Sequence, residues 1–563
     1  MTPRPPDIFF HPDAVESEGK DLVGRRSAGQ SFLKGWLAHV PHDRLGFVTE
    51  TPRGRAPLEA ALQALGETRP FDLTHVRGAG PLSHGGCVVF PGPGFQGLTW
   101  KRLGRGDPRA CSLLGLTHTV STRRVIEGLH GLVSEPVEPW DAIICTSRAV
   151  QAVVARQFEE EAAFFKDRFG ARRVPLPDLP VIPLGINAAD FAPRPDARAA
   201  LRARFDAPDD AVVLLTMGRW TSVEKANPAP LMLVLEELAK RLDRPLHLWM
   251  AGWASREAEA ELHRRAAATL APSVTTRMID GRDPEIRAGI WSGADIFTLP
   301  VDNIQETFGL VPVEAMAAGL PVVIPDWDGF RDTVVHGETG YLVPTRMAPP
   351  GAGAVLARRF AEGTDGYVQH LSLVAQQTVI DLGAYGAALE ALARDPDLRA
   401  RMGAAGRAHV AARFDWAAVV PLYLDLARDL AARRASRPPV SEPRHPVAPH
   451  PLQIDPFAHY ARYPSDVVDR TTPLSPTGAS LDADRLAALD AVNGRELYDR
   501  RVAPPDLTLK AAEILGADGP MTVGELAGRL GLREGPTIAI ALFLAKFGVI
   551  ALPKTHLHRD TSR

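Results

Sequence analysis

The sequence predicts two doubly wound α/β domains followed by a small helical module. From about residue 40 to residue 435, short apolar runs alternate with helical patterns, and the runs form two series. Strands separated by helices imply parallel sheets covered by helices on both faces. A proline-bearing loop near residue 195 divides the series, and a proline-rich stretch follows the second one. The predicted domains are residues 1–195 and 196–412, a closing helix at 413–434, a linker at 435–460 and a module at 461–563.

Eight apolar runs carry the prediction of the two sheets. In the first series they are residues 44–50, 86–92, 141–147 and 179–185, and in the second they are residues 211–220, 246–253, 294–300 and 321–325. Helical patterns such as "LMLVLEELAKRL" and "EAEAELHRRAAATL" lie between the runs of the second series. Apolar runs of this length with helices between them are typical of buried parallel strands.

Length and composition describe an ordinary globular protein. A chain of 563 residues is too long for a single hydrophobic core, so two or three domains are expected. Hydrophobic residues make up 45% of the chain and charged residues 23%, and the formal net charge is −3. A chain so close to neutrality gives no indication of a polyanionic partner such as nucleic acid.

The cysteines and the apolar runs bear on location and cofactors. Cys87, Cys111 and Cys145 lie far apart and form no CxxC pair, which predicts reduced thiols in a cytoplasmic protein. The first residues lack the apolar core of a signal peptide, and the longest apolar run, Ile538–Ala545, is too short to span a bilayer. We expect a cytoplasmic location and leave open a peripheral contact with the inner face of the membrane. Without a His or Cys cluster or a suitably placed DxD pair, we expect no metal or other cofactor.

The tail beyond the linker has a pattern of its own. Residues 507–552 show the order of helix, glycine turn, helix and strand that is typical of a winged helix. Residues 501–563 carry 8 Lys/Arg and 6 Asp/Glu, and the helix predicted at 536–549 is almost entirely apolar. A helix that reads DNA needs polar side chains for the base edges. We therefore expect no nucleic acid and interpret the module as a unit for self-association or for binding a partner.

Two glutamates, Glu306 and Glu314, flank the junction between a predicted loop and a predicted helix. The strand-like "ADIFTLP" precedes the loop, and ligands of open α/β sheets bind beyond the carboxyl ends of strands. The backbone N–H groups of Phe308, Gly309 and Leu310 are expected to point out of the helix start, where they favour an anion. The two carboxylates could then accept hydrogen bonds from hydroxyl groups at two parts of one elongated ligand.

For an isolated pair of this kind a simpler interpretation is available, in which Glu314 offsets the helix dipole and Glu306 is a solvated loop charge. The surrounding residues favour function instead. "ETFGLVPVEAMAAGLPVV" closely resembles the donor-binding motif of glycosyltransferase family 4, whose members are retaining enzymes of GT-B fold. The resemblance extends over about residues 20–435, and it implies that Glu306 contacts the donor hexose and Glu314 the ribose of the nucleotide.

Further stretches resemble the same family in the expected order. "LLTMGRW" is similar to the first strand of the donor domain and ends at Gly218 and Arg219, and Lys225 in "TSVEKANP" matches a second cation. The resemblance implies that the two cations clamp the donor diphosphate, with Arg as a planar fork and Lys as a point charge. Without it, both would be interpreted as surface charges.

Two residues of the first domain are matched in the same way. His118 in "LGLTHTVST" matches the histidine that lies beside the donor sugar in the family. "GRRSAGQSFLKGWLAH" resembles the family's N-terminal loop and helix, where small residues let backbone N–H groups face the diphosphate, and Gly29 is the best candidate there. Judged from the residues alone, His118 could be structural and the glycine-bearing stretch a plain turn before a helix.

The resemblance implies transfer of a hexose from a nucleoside diphosphate sugar to a hydroxyl group, with retention and without a metal. A glycan or a lipid-linked acceptor is expected, in the synthesis of cell-surface polysaccharide or lipopolysaccharide. A nucleotide-sugar epimerase, a glycan phosphorylase and a regulatory protein with an inactive transferase body remain alternatives. The reaction would use Glu306, His118, Arg219 and Lys225, and the donor would be bound by Glu314, Phe308, Gly309, Leu310, Gly218 and Gly29.

Overall fold

The computed structural model describes residues 4–11, 24–78, 80–95, 97–441, 450–498 and 503–554. The chain divides into two compact units, Met1–His450 and Pro451–Arg563. The first unit contains two six-stranded parallel sheets with helices between their strands, which confirms the predicted fold class.

The first sheet has the strand order β3-β2-β1-β4-β5-β6, and all neighbouring strands are parallel. The order reverses between β1 and β4, so the chain leaves these two neighbouring strands in opposite directions. In open α/β sheets such a switch point opens a crevice beyond the carboxyl ends of the two strands. The strands are β1 Asp7–Phe9, β2 Leu45–Thr49, β3 Phe71–His75, β4 Cys87–Phe90, β5 Ser112–Leu116 and β6 Ala142–Ile144.

The second sheet repeats this plan with the order β12-β11-β10-β7-β8-β9, again with all neighbours parallel. Its switch point therefore lies between β7 and β10. The strands are β7 Val212–Met217, β8 Leu246–Gly252, β9 Thr275–Asp280, β10 Ile296–Thr298, β11 Val322–Pro325 and β12 Gly340–Val343.

Helices connect the strands of both sheets. In the first domain they are Gly24–His39, Arg55–Ala64, Leu98–Gly104, Arg123–Ser134 and Arg148–Phe169, with 3-10 turns at Pro52–Gly54 and Ala188–Phe191. In the second domain they are Pro195–Arg204, Ala229–Ala239, Glu257–Leu270, Pro284–Gly293, Leu310–Ala317, Phe330–Thr333, Ala354–Ala361, Tyr367–Ala375, Leu382–Arg394 and Pro396–Arg413. Within the described residues, no helix combines the length and the apolar character needed to cross a membrane.

The last helix of the first unit, Trp416–Ser436, packs against helix Gly24–His39 of the first domain. Trp416 is fully buried, and its indole N–H donates to Ser31 Oγ at 2.9 Å. The close approach requires Gly35, because a Cβ there would lie 2.1 Å from the Trp416 ring. Trp416 belongs to a hydrophobic core that contains buried residues from both sheets. The two α/β domains therefore share one hydrophobic core.

The structure departs from the predicted strands in two ways. Residues 179–185 are not a strand; Val181 forms an isolated bridge with Cys145, just beyond β6, and the flanking Pro180 and Pro183 have no N–H group to donate. Conversely, five strands of the two sheets lie outside the eight predicted runs: β1, β3, β5, β9 and β12. β1 is only three residues long, and it carries Asp7, a buried carboxylate that accepts hydrogen bonds from Ser83 Oγ and the His84 amide.

The linker predicted at 435–460 begins as part of the first domain. Helix Trp416–Ser436 continues two residues beyond the predicted end. The backbone N–H groups of Val440 and Ser441 donate to the buried carboxylate of Glu138 at 2.9 and 3.1 Å. The described start of the linker is therefore fastened to the first domain.

The second unit is a small helical module with a three-stranded antiparallel sheet of order β16-β15-β17. The apolar helix Glu534–Lys546 buries Ile540 and Leu544 in the module's own core. That core accounts for much of the apolar character of the helix. The elements are β15 Pro473–Pro476, β16 Met521–Thr522 and β17 Ile550–Ala551, with helices Pro456–His459, Ala483–Asp490, Glu496–Tyr498, Pro505–Asp518, Val523–Leu530 and Glu534–Lys546.

Candidate active site

The loops that follow β7 and β10 carry most of the predicted site residues. β7 and β10 are hydrogen-bonded neighbours at the switch point of the second sheet. Gly218, Arg219 and Lys225 follow β7, while Glu306 and the helix start at Leu310 follow β10. Sheet order thus brings together two segments that are far apart in the sequence, at the position where α/β sheets bind ligands.

An ion pair joins the two loops. Lys225 Nζ lies 3.0 Å from Glu306 Oε2, and the two side chains are 21% and 18% exposed. Burial raises the pKa of Glu306, but the charge and hydrogen bond of Lys225, together with the N–H groups of Thr307 and Phe308, outweigh it and hold the pKa below its ordinary value. Glu306 is therefore ionised at neutral pH and can accept hydrogen bonds from hydroxyl groups.

Side-chain amides fix the two loops to each other. Asn303 Nδ2 donates to the carbonyl of Lys225 at 2.8 Å, and Gln305 Nε2 donates to the carbonyl of Glu224 at 2.8 Å. The Trp327 indole N–H donates to the carbonyl of Asn303 at 2.9 Å. Because these bonds hold the backbone on both sides of the ion pair, the positions of Lys225 and Glu306 do not depend on their flexible side chains alone.

Arg219 lies next to this pair and has a different partner. Its guanidinium is 3.3 Å from Glu224 Oε2, and the side chain is 27% exposed. Gly218 has φ +146°, and a Cβ at this position would lie 3.0 Å from the Lys225 side chain. The glycine thus leaves room for Lys225 to pass toward Glu306, and Arg219 presents a second cation beside it.

Helix Leu310–Ala317 begins in the same place. Its N-cap is Gly309 at φ +85°, which has no side chain to cap the first N–H groups. A Cβ on Gly309 would lie 2.2 Å from the Phe330 ring, so only glycine fits against that ring. The uncapped N–H groups and the positive end of the helix dipole make this start suitable for an anionic group.

The structure modifies the expectation for Phe308. Its side chain is buried and packs against Phe414 with 5.9 Å between the ring centroids. Its backbone N–H faces the carboxylate of Glu306. Phe308 therefore supports Glu306 in this structure, and the N–H groups of Gly309 and Leu310 remain for an anionic ligand.

Glu314 lies five positions along helix Leu310–Ala317, beyond the ion pair. Burial raises its pKa to about 7, and the charge of Lys225 only partly opposes the increase. Glu306 and Glu314 thus differ in protonation although they share Lys225 as a cationic neighbour, because only Glu306 is bonded to it directly.

His118 meets the Glu306 loop through the backbone. Thr307 Oγ1 donates to the carbonyl of His118 at 3.0 Å, and Ser147 Oγ donates to the carbonyl of Thr307 at 2.8 Å. Next to Ser147, Arg148 forms an ion pair with Asp332 of helix Phe330–Thr333 at 2.6 Å, which is a further contact between the two domains. The residue that the sequence matched beside the donor sugar therefore lies in a loop bonded directly to the loop of Glu306.

A largely apolar cavity opens beyond the switch point of the first sheet. His118 and Gly29 border it from the first domain, and Leu310 borders it from the helix start of the second. The remaining lining residues are mostly apolar side chains from β1, β4, β5, the two packed helices and the segments after β1 and β6: Ile8, Phe9, Phe10, Phe32, Leu33, Val89, Leu116, Leu184 and Trp416.

Gly29 differs from the expected loop position. It lies inside helix Gly24–His39, five residues past the first helical residue. Only the first four N–H groups of a helix lack an intrahelical partner, so the backbone of Gly29 is not available to a diphosphate. What Gly29 contributes is the space of a missing side chain at the edge of the cavity.

Two acidic residues near Glu306 were not identified from the sequence. Asp328 follows β11 with φ +47°, and burial, followed by the charge of Glu306, raises its pKa to about 8. Burial also raises the pKa of Asp302 to about 7. Among the described residues, Asp328 Oδ2 and Asp302 Oδ1 have no hydrogen-bond partner. The signal that could have found both is their position just after a strand of a parallel sheet.

The chemistry available here is recognition of an elongated anionic ligand. An ionised carboxylate, a second carboxyl group, two cations and an uncapped helix start converge at one switch point. In the part of the chain that the structure describes, no three His, Cys, Asp or Glu side chains are grouped so as to hold a metal ion.

Comparison with known proteins places the chain in a family. The sequence profile described as "Glycosyl transferases group 1" matches residues 211–357, which include both loops of the site. D-inositol 3-phosphate glycosyltransferase of Kineococcus radiotolerans is 30% identical over 333 residues, which are 57% of this chain and 69% of that protein. The protein of the same name from Geodermatophilus obscurus is 31% identical over 294 residues, 49% of this chain and 62% of that protein.

Further matches differ in the share of the chain that they cover. The D-inositol 3-phosphate glycosyltransferase of Corynebacterium efficiens is 32% identical over 235 residues, which are 40% of this chain and 53% of that protein. Among solved structures, a glycosyltransferase of Rickettsia africae superposes with a TM-score of 0.47 at 14% identity, over 76% of this chain and 98% of that one. Anabaena Alr3699/HepE in complex with UDP and glucose has a TM-score of 0.44 at 15% identity, over 76% and 99%.

Proposed function

The chain belongs to the group 1 glycosyltransferases, and on that premise we propose that it transfers a hexose from a nucleoside diphosphate sugar to a hydroxyl acceptor. One observation carries the proposal: the Lys225–Glu306 pair lies beside the uncapped helix start at Gly309, at the switch point of the second sheet. This combination offers a carboxylate for sugar hydroxyls next to a site for the diphosphate.

The donor would lie along the helix start. Its diphosphate would take the N–H groups of Gly309 and Leu310, with Arg219 and Lys225 as cations. Glu306 would accept hydrogen bonds from the hexose, and Glu314 would accept them from the ribose. As the glycosidic bond breaks, charge develops on the diphosphate oxygens, and fixed N–H dipoles and cations stabilise that charge without reorganising.

The proposed stereochemical course is retention. The acceptor hydroxyl attacks the anomeric carbon from the face that the diphosphate leaves, and a diphosphate oxygen takes the hydroxyl proton. In this course the protein positions the reactants and stabilises charge but forms no covalent intermediate. Engagement of Glu306 by Lys225 and by two backbone N–H groups favours a binding role over the alternative role of nucleophile in a double displacement.

The acceptor would enter from the first domain. The cavity beside His118 is lined mainly by apolar side chains and is bordered by Leu310, the first residue of the helix that would hold the diphosphate. Burial of apolar surface favours an acceptor that carries an apolar group next to its hydroxyl. Of the two expected classes, this observation supports a lipid-linked acceptor over a bare glycan.

For the second unit we propose a winged-helix-like module that mediates self-association. The support is its order of helices and its small antiparallel sheet. Several apolar side chains that precede the module's core are exposed, among them Leu452, Phe457 and Tyr463. Static light scattering tests the proposal: the full chain should exceed the monomer mass, and a chain that ends after His450 should not.

The transfer is tested in two steps on the full chain. Ligand-detected NMR with UDP-, GDP- and ADP-sugars identifies the donor, and release of nucleoside diphosphate is then measured with and without alkyl and aryl glycosides as acceptors. Release that depends on an acceptor, with a product of retained configuration by proton NMR, supports the proposal. Epimerised donor without release would favour the epimerase, and an inverted product would exclude the proposed course.

A matched pair of variants attributes the activity to this site. Glu306→Gln keeps the shape of the side chain and removes its charge, and we expect turnover to fall about 10²–10³-fold. Glu237→Gln changes an exposed glutamate of the same domain and should leave turnover unchanged. Equal activity of the two variants would refute the assignment, and absence of any donor binding would support the regulatory alternative.

A further inference from the structure

Between β12 and helix Leu382–Arg394, the chain makes an excursion away from the second sheet. Thr345–Met347 (β13) and Thr378–Ile380 (β14) pair antiparallel and close the excursion at its base. Between them lie helices Ala354–Ala361 and Tyr367–Ala375. We call residues 345–380 the clasp segment.

The clasp segment reaches the first domain through Arg123. The guanidinium of Arg123 donates to the carbonyls of Phe360 and Ala361 at 2.8 Å each, and it lies 5.7 Å from the centroid of the Phe360 ring. Arg123 begins the helix that follows the His118 loop. The first of the two clasp helices is thus bonded to the element that ends that loop.

The second clasp helix begins with Tyr367, whose hydroxyl group joins three elements. It lies 2.9 Å from Ser121 Oγ in the His118 loop, and it donates to Gln305 Oε1 at 3.1 Å in the Glu306 loop. Burial raises the pKa of Tyr367 despite the hydrogen bonds with Ser121 and Thr119 of the His118 loop, so the hydroxyl keeps its proton at neutral pH. It can therefore donate one hydrogen bond and accept another.

Gln305 links the Tyr367 hydroxyl group to the loops of the Lys225–Glu306 ion pair. While its Oε1 accepts from Tyr367, its Nε2 donates to the carbonyl of Glu224, the residue before Lys225. Gln305 itself precedes Glu306. One tyrosine hydroxyl is therefore linked, through a single side chain, to the backbone on both sides of the Lys225–Glu306 pair and to the loop of His118.

We propose that Tyr367 is a positioning residue that sets the distance between the His118 loop and the Glu306 loop. This inference rests on the proposed function, because the two loops would enclose the donor sugar. Tyr367 touches neither reactant in this scheme and acts through Gln305 and Ser121. Misplacement of reacting groups by a fraction of an ångström reduces turnover more than binding, since binding tolerates geometry that the transition state does not.

The first test uses Tyr367→Phe, which removes only the hydroxyl group, and Ser121→Ala, which removes one of its partners in the His118 loop. We expect each variant to lower donor turnover about tenfold while the donor Kd changes less than about twofold. The double variant should be no slower than Tyr367→Phe alone, because the loss of the hydroxyl group already removes its bond with Ser121. Tyr341→Phe, in β12 of the same domain, is the control and should match the wild type.

The second test needs no activity and so separates this inference from the proposed function. Hydrogen–deuterium exchange on the full chain should show faster exchange at residues 117–122 and 302–309 in Tyr367→Phe, with an unchanged Tm. The same segments should be unaffected in Tyr341→Phe. Unchanged exchange in Tyr367→Phe would overturn the inference, as would a loss of turnover that only follows a loss of folded protein.

Discussion

Lys225 Nζ and Glu306 Oε2 are 3.0 Å apart, although the two residues are 81 positions apart in the sequence. Each belongs to a loop that follows one of the two strands at the switch point of the second sheet. The pair is mostly buried, so its charges interact more strongly than an exposed pair would. It therefore serves as the reference point for the predictions below.

Removing the ammonium group should damage both stability and activity. In Lys225→Met the carboxylate of Glu306 remains mostly buried without its counter-ion, and we expect the free energy of unfolding to fall by about 1–3 kcal/mol. Turnover should fall about 10²–10³-fold, because the proposed function places this cation beside the leaving diphosphate. The control is Lys240→Met, which removes an exposed lysine of the same domain. Denaturant titration and nucleotide release measure the two effects, and a variant with wild-type turnover would contradict the role of Lys225.

Donor affinity should depend on pH through Glu314. Its pKa of about 7 leaves it largely protonated at pH 6 and largely ionised at pH 8. The ionised carboxylate is the stronger acceptor for ribose hydroxyls, so the donor Kd should decrease about tenfold as pH rises from 6 to 8. Glu314→Gln should bind weakly at both pH values, with no such slope. Titration by calorimetry checks this, and a flat curve for the wild type would argue against a contact with Glu314.

Ionisation of the buried Asp328 should lower the free energy of unfolding at high pH. A carboxyl group with a pKa of about 8 in the folded chain, against an ordinary 3.8, binds more protons when folded. Stability therefore decreases as pH rises through the interval between these values. Asp328→Asn removes the titration and suits the left-handed backbone at this position, so its gain in Tm over the wild type should be larger at pH 8 than at pH 5. Asp243→Asn, at a carboxylate that is 80% exposed, should show no such difference.

Gly309 should tolerate substitution less than another glycine of similar backbone geometry. Gly309 has φ +85° and Gly337 has φ +79°, so an alanine at either position costs about 1–2 kcal/mol from the backbone alone. Only at Gly309 would the new Cβ meet a ring, at 2.2 Å from Phe330, whereas no described atom lies within 4 Å at Gly337. The clash should add about 1–3 kcal/mol. Chemical denaturation of both variants measures the difference, and equal losses would mean that the Phe330 ring moves aside freely.

The start of the linker should contribute to the stability of the first domain. A chain that ends after His450 keeps the N–H donors of Val440 and Ser441 for the buried carboxylate of Glu138, and a chain that ends after Ser436 loses them. We expect the longer truncation product to melt at the temperature of the first unit in the full chain, and the shorter one to melt lower. Both should retain donor turnover. If the two truncated chains have the same Tm, the hydrogen bonds with Glu138 do not contribute to the stability of the first domain.

Much of the second sheet could be predicted because its strands are continuous apolar runs, as burial on both faces requires. Such runs coincide with β7, β8, β10 and β11. β1 escaped prediction because it is short and contains Asp7, whose burial is satisfied by Ser83 and His84 from another part of the chain. A hydrogen bond between residues 76 positions apart leaves no trace in a local pattern.

The candidate site, like the sheets, has a part that local sequence predicts and a part that depends on contacts between distant residues. A motif within one loop and one helix was sufficient to predict Glu306, Gly309 and Glu314 as donor-binding residues, because short segments specify a strand end and a helix start. The two amino acids that complete the arrangement, Lys225 as partner of Glu306 and Tyr367 as partner of Gln305, could be assigned these contacts only from the folded chain. Local sequence sets backbone geometry and the face that is buried, whereas strand order, which depends on packing across the whole sheet, decides which loops become neighbours.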